Sequence, residues 1–168
     1  MTLDEFNCLS SSQAETVLLE CCHSQWWAEL MVEQRPYESK QSLLNTAEEI
    51  WLKAQEKDIL EAFLGHAKIG DLSKNDKEKV SELTLKEQGQ VVQTTNAVLD
   101  ELKQLNELYS EKFGFIYIVC ATGKPAEEML NILQGRIKNT RAQELTNGAA
   151  EQNQITKIRI NNLVERVL

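Results

Sequence analysis

Phe115-Ile116-Tyr117-Ile118-Val119-Cys120-Ala121 is the one strand-like run in the chain, because it is continuously apolar and rich in β-branched and aromatic residues. Such a run predicts a segment that is buried on all sides. One strand without a partner strand cannot make a sheet, so we expect an extended buried segment inside a helical protein. Its backbone N–H and C=O groups then need partners, which a polar ligand can supply.

The rest of the sequence favours helices. It contains two prolines and seven glycines, and residues with high helix propensity are frequent. Capping patterns and apolar residues at three- and four-residue spacing predict helices over about 12–22, from Ser39 or Ser42, from Asp58, over about 85–112 and from Thr140. The expected fold is an all-α, single-domain bundle of about seven to eight helices that covers residues 1–168.

Composition excludes several classes of function. The net charge of −8 argues against a nucleic-acid surface, which needs a basic patch, and against binding to anionic lipid. No apolar run approaches the length of a membrane span, and no signal peptide is recognisable. The four cysteines form no CxxC pair, so we expect reduced thiols, no zinc site and a cytoplasmic location.

A histidine at a predicted helix end is the first candidate for chemistry. In Phe63-Leu64-Gly65-His66-Ala67-Lys68-Ile69-Gly70-Asp71, His66 follows an amphipathic segment and precedes a polar loop, which we expect to be mobile. Imidazole titrates near neutral pH and suits proton transfer. A lone histidine in this position is, however, more often a cap or a packing residue. The other histidine, His23, is interpreted as structural.

Motifs spread over nearly the whole chain resemble the 2-oxo-4-hydroxy-4-carboxy-5-ureidoimidazoline (OHCU) decarboxylase family. Each motif is weak, and their joint order and spacing carry the resemblance. They are Phe6-Asn7, Trp27, Arg35-Pro36-Tyr37, Leu60-Glu61-Ala62-Phe63, His66 to Asp71, Thr84 with Glu87-Gln88, Leu105-Asn106, Tyr109, Lys112-Phe113-Gly114-Phe115, Ile118 to Ala121, Arg136, Asn139, Glu144 and Ile158-Arg159.

The resemblance implies a homodimeric enzyme of uric acid degradation that needs no cofactor or metal. Such an enzyme converts OHCU to (S)-allantoin and CO2. The family's catalytic residues fall on His66, the proton donor, and on Glu87 and Arg159. Its substrate contacts fall on Ala67, Thr84, Leu85, Lys86, Gln88, Tyr117, Ile118, Val119, Cys120 and Ala121.

Two positions depart from the family pattern. Ala67 stands where the family has proline after the histidine, and Thr84 stands where serine is common. Proline restricts the backbone conformation of the residue before it. We therefore expect the orientation of His66 to be less restricted with Ala67 after it. Thr84 retains the hydroxyl.

Other interpretations stay open at this point. From spacing alone, Glu87 fits the third position of a capping box that Thr84 begins. Arg159 alone fits a solvated helix face, and residues 115–121 alone fit a protein core. Two further functions are a helical adaptor whose 85–112 helix binds a partner helix, and a family member that binds ureido compounds without turnover.

Overall fold

A computed structural model describes residues 1–66 and 96–165. Within these ranges the chain forms eight α-helices and no β-strand, which confirms the all-α prediction. The helices are α1 (Leu3–Cys8), α2 (Ser11–Cys21), α3 (Gln25–Glu33), α4 (Lys40–Trp51), α5 (Glu56–Phe63), α6 (Asn96–Phe113), α7 (Ala126–Arg136) and α8 (Arg141–Leu163). The predicted start of the 85–112 helix lies outside the described residues.

Side-chain caps fix several helix starts. Ser39 caps α4 as predicted, and Thr140 caps α8 by accepting from the N–H of Gln143 at 3.2 Å. Two predicted starts are wrong by a few residues. The cap of α2 is Ser10, which pairs with Gln13 in an overlapping Ser-x-x-Gln pattern. Asp58 lies in the first turn of α5, where its carboxylate accepts from the N–H of Gln55 at 3.1 Å.

The helices divide into two compact units. One unit holds Met1–Gly65 together with the chain from Gln152 onward, and the other runs from His66 to Glu151. In the first unit, α3 packs against α2, α4 and α5. Trp27 on α3 is fully buried, and its indole N–H donates to the carbonyl of Ala47 at 3.1 Å. An aromatic residue that hydrogen-bonds while buried is a strong core anchor.

Two family motifs hold each other in this first unit. Asn7 donates to the carbonyl of Tyr37 at 2.9 Å, and the N–H of Tyr37 donates back to Asn7 Oδ1 at 2.9 Å. Arg35 Nη1 donates to the carbonyls of Phe6 and Leu9 at 3.0 and 2.8 Å. These residues thus tie the chain after α3 to α1, which gives both motifs a structural role.

The second unit is built around aromatic rings. Tyr109 and Phe113 on α6 lie 4.5 Å apart between ring centroids, and Tyr109 is 5.6 Å from Tyr117. The helix α6 packs against α7. Residues 115–121 leave the helical conformation and are buried, apart from Ile116, which is half-buried. The predicted buried segment is therefore confirmed.

None of the helices in residues 1–66 and 96–165 is both long and apolar enough to cross a membrane.

Candidate active site

Residues 117–121 present backbone groups inside the second unit. Gly114 has φ of 81°, a conformation that glycine adopts at little cost, and it turns the chain out of α6. The carbonyl of Ile118 accepts from Arg136 Nη1 at 2.5 Å, and that of Cys120 accepts from Lys124 Nζ at 2.8 Å. No backbone–backbone hydrogen bond within the described residues involves residues 116–119. Their amide groups are chemically suited to pair with an amide-like ligand.

Arg136, on the last turn of α7, links this segment to a buried carboxylate. Its Nε donates to Glu144 Oε1 at 2.7 Å, and its guanidinium lies 4.9 Å from the centre of the Tyr117 ring. Arg136 is only 8% exposed. A buried guanidinium needs both a counter-ion and well-aimed acceptors, and Glu144 and Ile118 supply them.

Glu144 is fully buried in the first turn of α8 and accepts four side-chain hydrogen bonds. Besides Arg136, Tyr109 donates to it at 2.7 Å, Asn139 at 2.9 Å and Asn147 at 2.7 Å. Burial raises the pKa of this carboxyl, but the four hydrogen bonds outweigh that effect and hold its pKa below the ordinary value. Glu144 is therefore an ionised anchor for Arg136.

Arg159 lies on α8 in the first unit and is buried. Its Nη1 approaches the carbonyls of Glu20 and Cys21, the last two residues of α2, at 3.3 and 3.5 Å. A cation at the carboxyl end of a helix is electrostatically favourable. The interpretation of Arg159 as a solvated surface charge is therefore wrong, and the first unit holds a desolvated positive charge.

Besides Arg159, the buried polar residues of α8 include Gln152 and Thr156. Gln152 donates to Thr156 Oγ1 at 2.9 Å, and Thr156 lies beside the carbonyl of Cys21 at 3.4 Å. Burial raises the pKa of the neighbouring Cys22 thiol to about 12, against the smaller lowering effect of Thr156. Because the thiolate is the nucleophilic form, Cys22 is unreactive near neutral pH.

His66 is half-buried and follows the end of α5. The preceding residue, Gly65, packs so tightly against His23 that an added Cβ would lie 2.4 Å from the Cβ of His23. Only glycine fits there without displacement. The exposed His23 thus packs against the backbone that leads into His66.

The other predicted site residues lie in different parts of the chain. Ala67, Thr84, Leu85, Lys86, Glu87 and Gln88 lie outside the described residues. His66 and residues 117–121 belong to the unit that begins at His66, and Arg159 belongs to the other unit. None of the four cysteines is in a disulfide. Among the described residues, no group of three His, Cys, Asp or Glu side chains is arranged to hold a metal ion.

A model of the OHCU decarboxylase family matches residues 7–161. The chain belongs to this family. The chain is 38% identical over 146 residues to the "uric acid degradation bifunctional protein TTL" of Arabidopsis thaliana, which covers 85% of the chain and 45% of that protein. It is 31% identical over 88 residues to an OHCU decarboxylase of Amia calva, over 49% of the chain and 50% of that protein. The chain thus spans about half the length of these relatives.

Two solved structures share the fold. The chain matches a crystal structure of OHCU decarboxylase in the presence of (S)-allantoin with a TM-score of 0.74 and 35% identity, over 86% of the chain and 94% of that structure. It also matches a structure of (S)-allantoin synthase with a TM-score of 0.72 over 98% of the chain and 54% of that structure. At 20% identity, this second match concerns the fold alone.

Sequence reasoning named Arg136, Asn139, Tyr109 and Glu144 as family motifs but gave them no role. The structure joins all four in one buried hydrogen-bond network. The sequence did contain a signal for an ion pair, since Arg136 and Glu144 lie on either side of the boundary between α7 and α8 and carry opposite charges. Apolar periodicity does not predict this buried pair, because it assigns charged residues to the exposed face of a helix.

Proposed function

We propose that this chain is an OHCU decarboxylase that forms (S)-allantoin and CO2 in the degradation of uric acid. One observation carries the proposal: the match to the OHCU decarboxylase that was crystallised in the presence of (S)-allantoin covers 94% of that structure at 35% identity. At this identity and coverage a shared reaction is the simplest account. The buried Arg159 and the amide groups of residues 117–121 support it chemically.

The reaction needs one bond broken and one proton delivered. The bond between ring carbon 4 and the carboxylate breaks, CO2 leaves, and the bonding electron pair moves into the adjacent ring system. The neighbouring carbon 5, which bears the ureido group, then takes a proton, while the hydroxyl on carbon 4 loses its proton and becomes the carbonyl of allantoin. In free solution the proton can arrive at either face of the ring, so only an oriented donor makes one enantiomer. Catalysis therefore rests on positioning and electrostatics.

His66 is the proton donor in this proposal. An imidazolium at a fixed position delivers its proton to one face, and imidazole ordinarily titrates close to neutral pH. The close packing of Gly65 against His23 supports a fixed backbone before His66. The chain has Ala67 where a proline would restrict His66. In this proposal the packing of Gly65 against His23 restricts the position of His66 instead.

Arg159 binds the anionic part of the substrate. A guanidinium offers a planar fork of donors that matches a carboxylate. Burial of Arg159 supports this role, because a desolvated cation attracts an anion far more strongly than one in water. It also supplies positive charge to a chain whose net charge is −8. Glu87, with Thr84 to Gln88, would accept from substrate N–H groups and orient His66.

The test generates OHCU in the cuvette from urate with a urate oxidase and follows circular dichroism. Wild-type protein should produce optically active (S)-allantoin, and His66→Ala should reduce kcat/KM at least about 100-fold, as expected for loss of a general acid. The matched control is His23→Ala, which alters the only other histidine and keeps its Cβ. Equal loss in both variants would contradict the role of His66.

The same experiment separates the other two functions. A protein that binds ureido compounds without turnover would bind (S)-allantoin in calorimetry and leave the product racemic. A helical adaptor would do neither, and His66→Ala and Arg159→Ala would then be silent in both measurements.

We also propose a homodimer and a cytoplasmic location. The dimer rests on the family resemblance, and the location rests on four free thiols, which persist in reducing compartments. Sedimentation velocity should give about twice the monomer mass of 19.1 kDa. A single species at the monomer mass, at micromolar concentration, would contradict the dimer.

A further inference from the structure

We infer that Arg136 is a positioning residue for the substrate: it holds residues 117–121 in register so that their amide groups face the ligand. The inference rests on the proposed function, because it assigns a cause to the geometry of that same site. Arg136 itself makes no substrate contact in this account. It acts through the carbonyl of Ile118, to which its Nη1 donates at 2.5 Å.

The pattern of hydrogen bonds divides the segment into two edges. In an extended chain, the N–H and C=O of one residue point to one edge, and those of the next residue point to the opposite edge. The carbonyls of Ile118 and Cys120, two residues apart, both accept from cations, Arg136 and Lys124. The opposite edge is then formed by Tyr117 and Val119, whose amide groups are left to pair with a ureido ligand.

The guanidinium is needed for its shape as well as for its charge. Nε donates to Glu144 and Nη1 donates to Ile118, so the planar fork fixes the carbonyl relative to the buried carboxylate. Among the described residues, the buried Nη2 of Arg136 has no hydrogen-bond partner. A buried donor without a partner is costly. The two bonds that Arg136 makes in a fixed geometry offset this cost.

The anchor is rigid because every oxygen of Glu144 is occupied. Tyr109 and Arg136 donate to Oε1, and Asn139 and Asn147 donate to Oε2. The ring of Tyr117 lies under the guanidinium, at 4.9 Å. We call this arrangement the brace: Tyr109 on α6 and Glu144 on α8 hold Arg136, and Arg136 contacts Tyr117 and Ile118.

Arg136→Lys tests the brace. An ammonium is a single point that can stay paired with Glu144 but cannot also reach Ile118 in the same fork. We expect KM for OHCU and Kd for (S)-allantoin to rise about tenfold, the effect of one lost hydrogen bond at about 1.4 kcal/mol. The value of kcat should change less than about threefold, since the groups at the reacting carbon are untouched.

Two controls separate positioning from plain destabilisation. Tyr37→Phe removes a buried hydrogen bond in the first unit, where the Tyr37 hydroxyl donates to the carbonyl of Met31 at 2.6 Å, and should lower Tm with KM unchanged. Asn131→Ala, on the exposed side of α7, should change neither. A tenfold rise in KM for Arg136→Lys alone supports the brace. An unchanged KM, or an equal rise in Tyr37→Phe, overturns it.

A second variant covers the case in which Arg136→Lys does not fold. Lys124→Met removes the donor to Cys120 outside the buried network and should raise Kd for (S)-allantoin about threefold. An unchanged Kd contradicts the premise that the protein holds the carbonyls of Ile118 and Cys120 so that the opposite edge meets the ligand, and it overturns the inference. Because (S)-allantoin binding is measured without turnover, the two proposals can fail separately. A wild-type chain that binds (S)-allantoin but makes racemic product refutes the proposed function, and the variant Kd values still decide the brace. A wild type that neither binds nor turns over refutes both.

Discussion

Replacement of Glu144 by glutamine is the sharpest test of the buried network. The change keeps the side-chain shape and removes the charge. Glu144 is fully buried and accepts hydrogen bonds from Arg136, Tyr109, Asn139 and Asn147 at 2.7 to 2.9 Å. An amide can accept on one side only, and its NH2 group would face the donors on the other side.

The expected cost follows from the loss of the counter-ion. Arg136 is 8% exposed and would keep its charge without a carboxylate. Removal of one partner of a buried ion pair costs about 3–5 kcal/mol, which is a large part of the 5–15 kcal/mol typical of a folded domain. For a chain of this size each kcal/mol lowers Tm by about 2–4 °C. We therefore expect a fall in Tm of roughly 6–20 °C.

The assay is urea unfolding followed by far-ultraviolet circular dichroism, with Tm from calorimetry. Glu107→Gln is the matched control, because the same substitution on the exposed side of α6 should change stability by less than about 0.5 kcal/mol. A loss below about 1 kcal/mol for Glu144→Gln would refute the reasoning, because the carboxylate would then not be the counter-ion that Arg136 needs.

Three further predictions concern pH, packing and thiol reactivity. Burial raises the pKa of Glu144, but its hydrogen bonds outweigh burial and hold the pKa below the ordinary value of 4.5. The stability that the carboxylate contributes is therefore complete above the ordinary pKa and is lost as the pH falls through the lowered one. The unfolding midpoints of wild type and Glu144→Gln should converge in acid, and a constant gap would contradict this. Gly65→Ala should cost about 1–3 kcal/mol and slow turnover, because the new Cβ meets that of His23 at 2.4 Å; His23→Gly should rescue it and His23→Ala should not. Iodoacetamide followed by mass spectrometry should label Cys8, the one exposed cysteine, and spare Cys21, Cys22 and Cys120 until urea is added; labelling of Cys22 in the folded protein would be the contrary result.

Several features of the fold could be predicted because a local signal decides them. The run at 115–121 is too apolar for an exposed position and has no partner strand, so its burial followed from composition. A glycine after a long helix is a local stop signal, and Gly114 follows α6 with a φ of 81°. Ser39 and Thr140 cap their helices because their hydroxyl groups accept from the backbone three residues later.

The buried face of α8 could not be predicted in the same way. Apolar spacing along α8 favours Leu145, Ala149, Ile155 and Ile158 as inward positions. Ile155 is buried, but the other three are half-buried, while the polar Glu144 and Gln152 are fully buried. A polar side chain is stable inside only when a partner reaches it, and those partners come from distant parts of the chain. Their identity depends on tertiary structure. The family motifs were the one sequence signal that included Glu144 and Arg159.

The measurement that tests the central claim most directly is the circular dichroism of allantoin formed from freshly generated OHCU with and without the wild-type protein. The account predicts that the initial rate of the (S)-allantoin signal rises in proportion to protein concentration and that the product is a single enantiomer. Racemic product that accumulates at the same rate with and without the protein would contradict it.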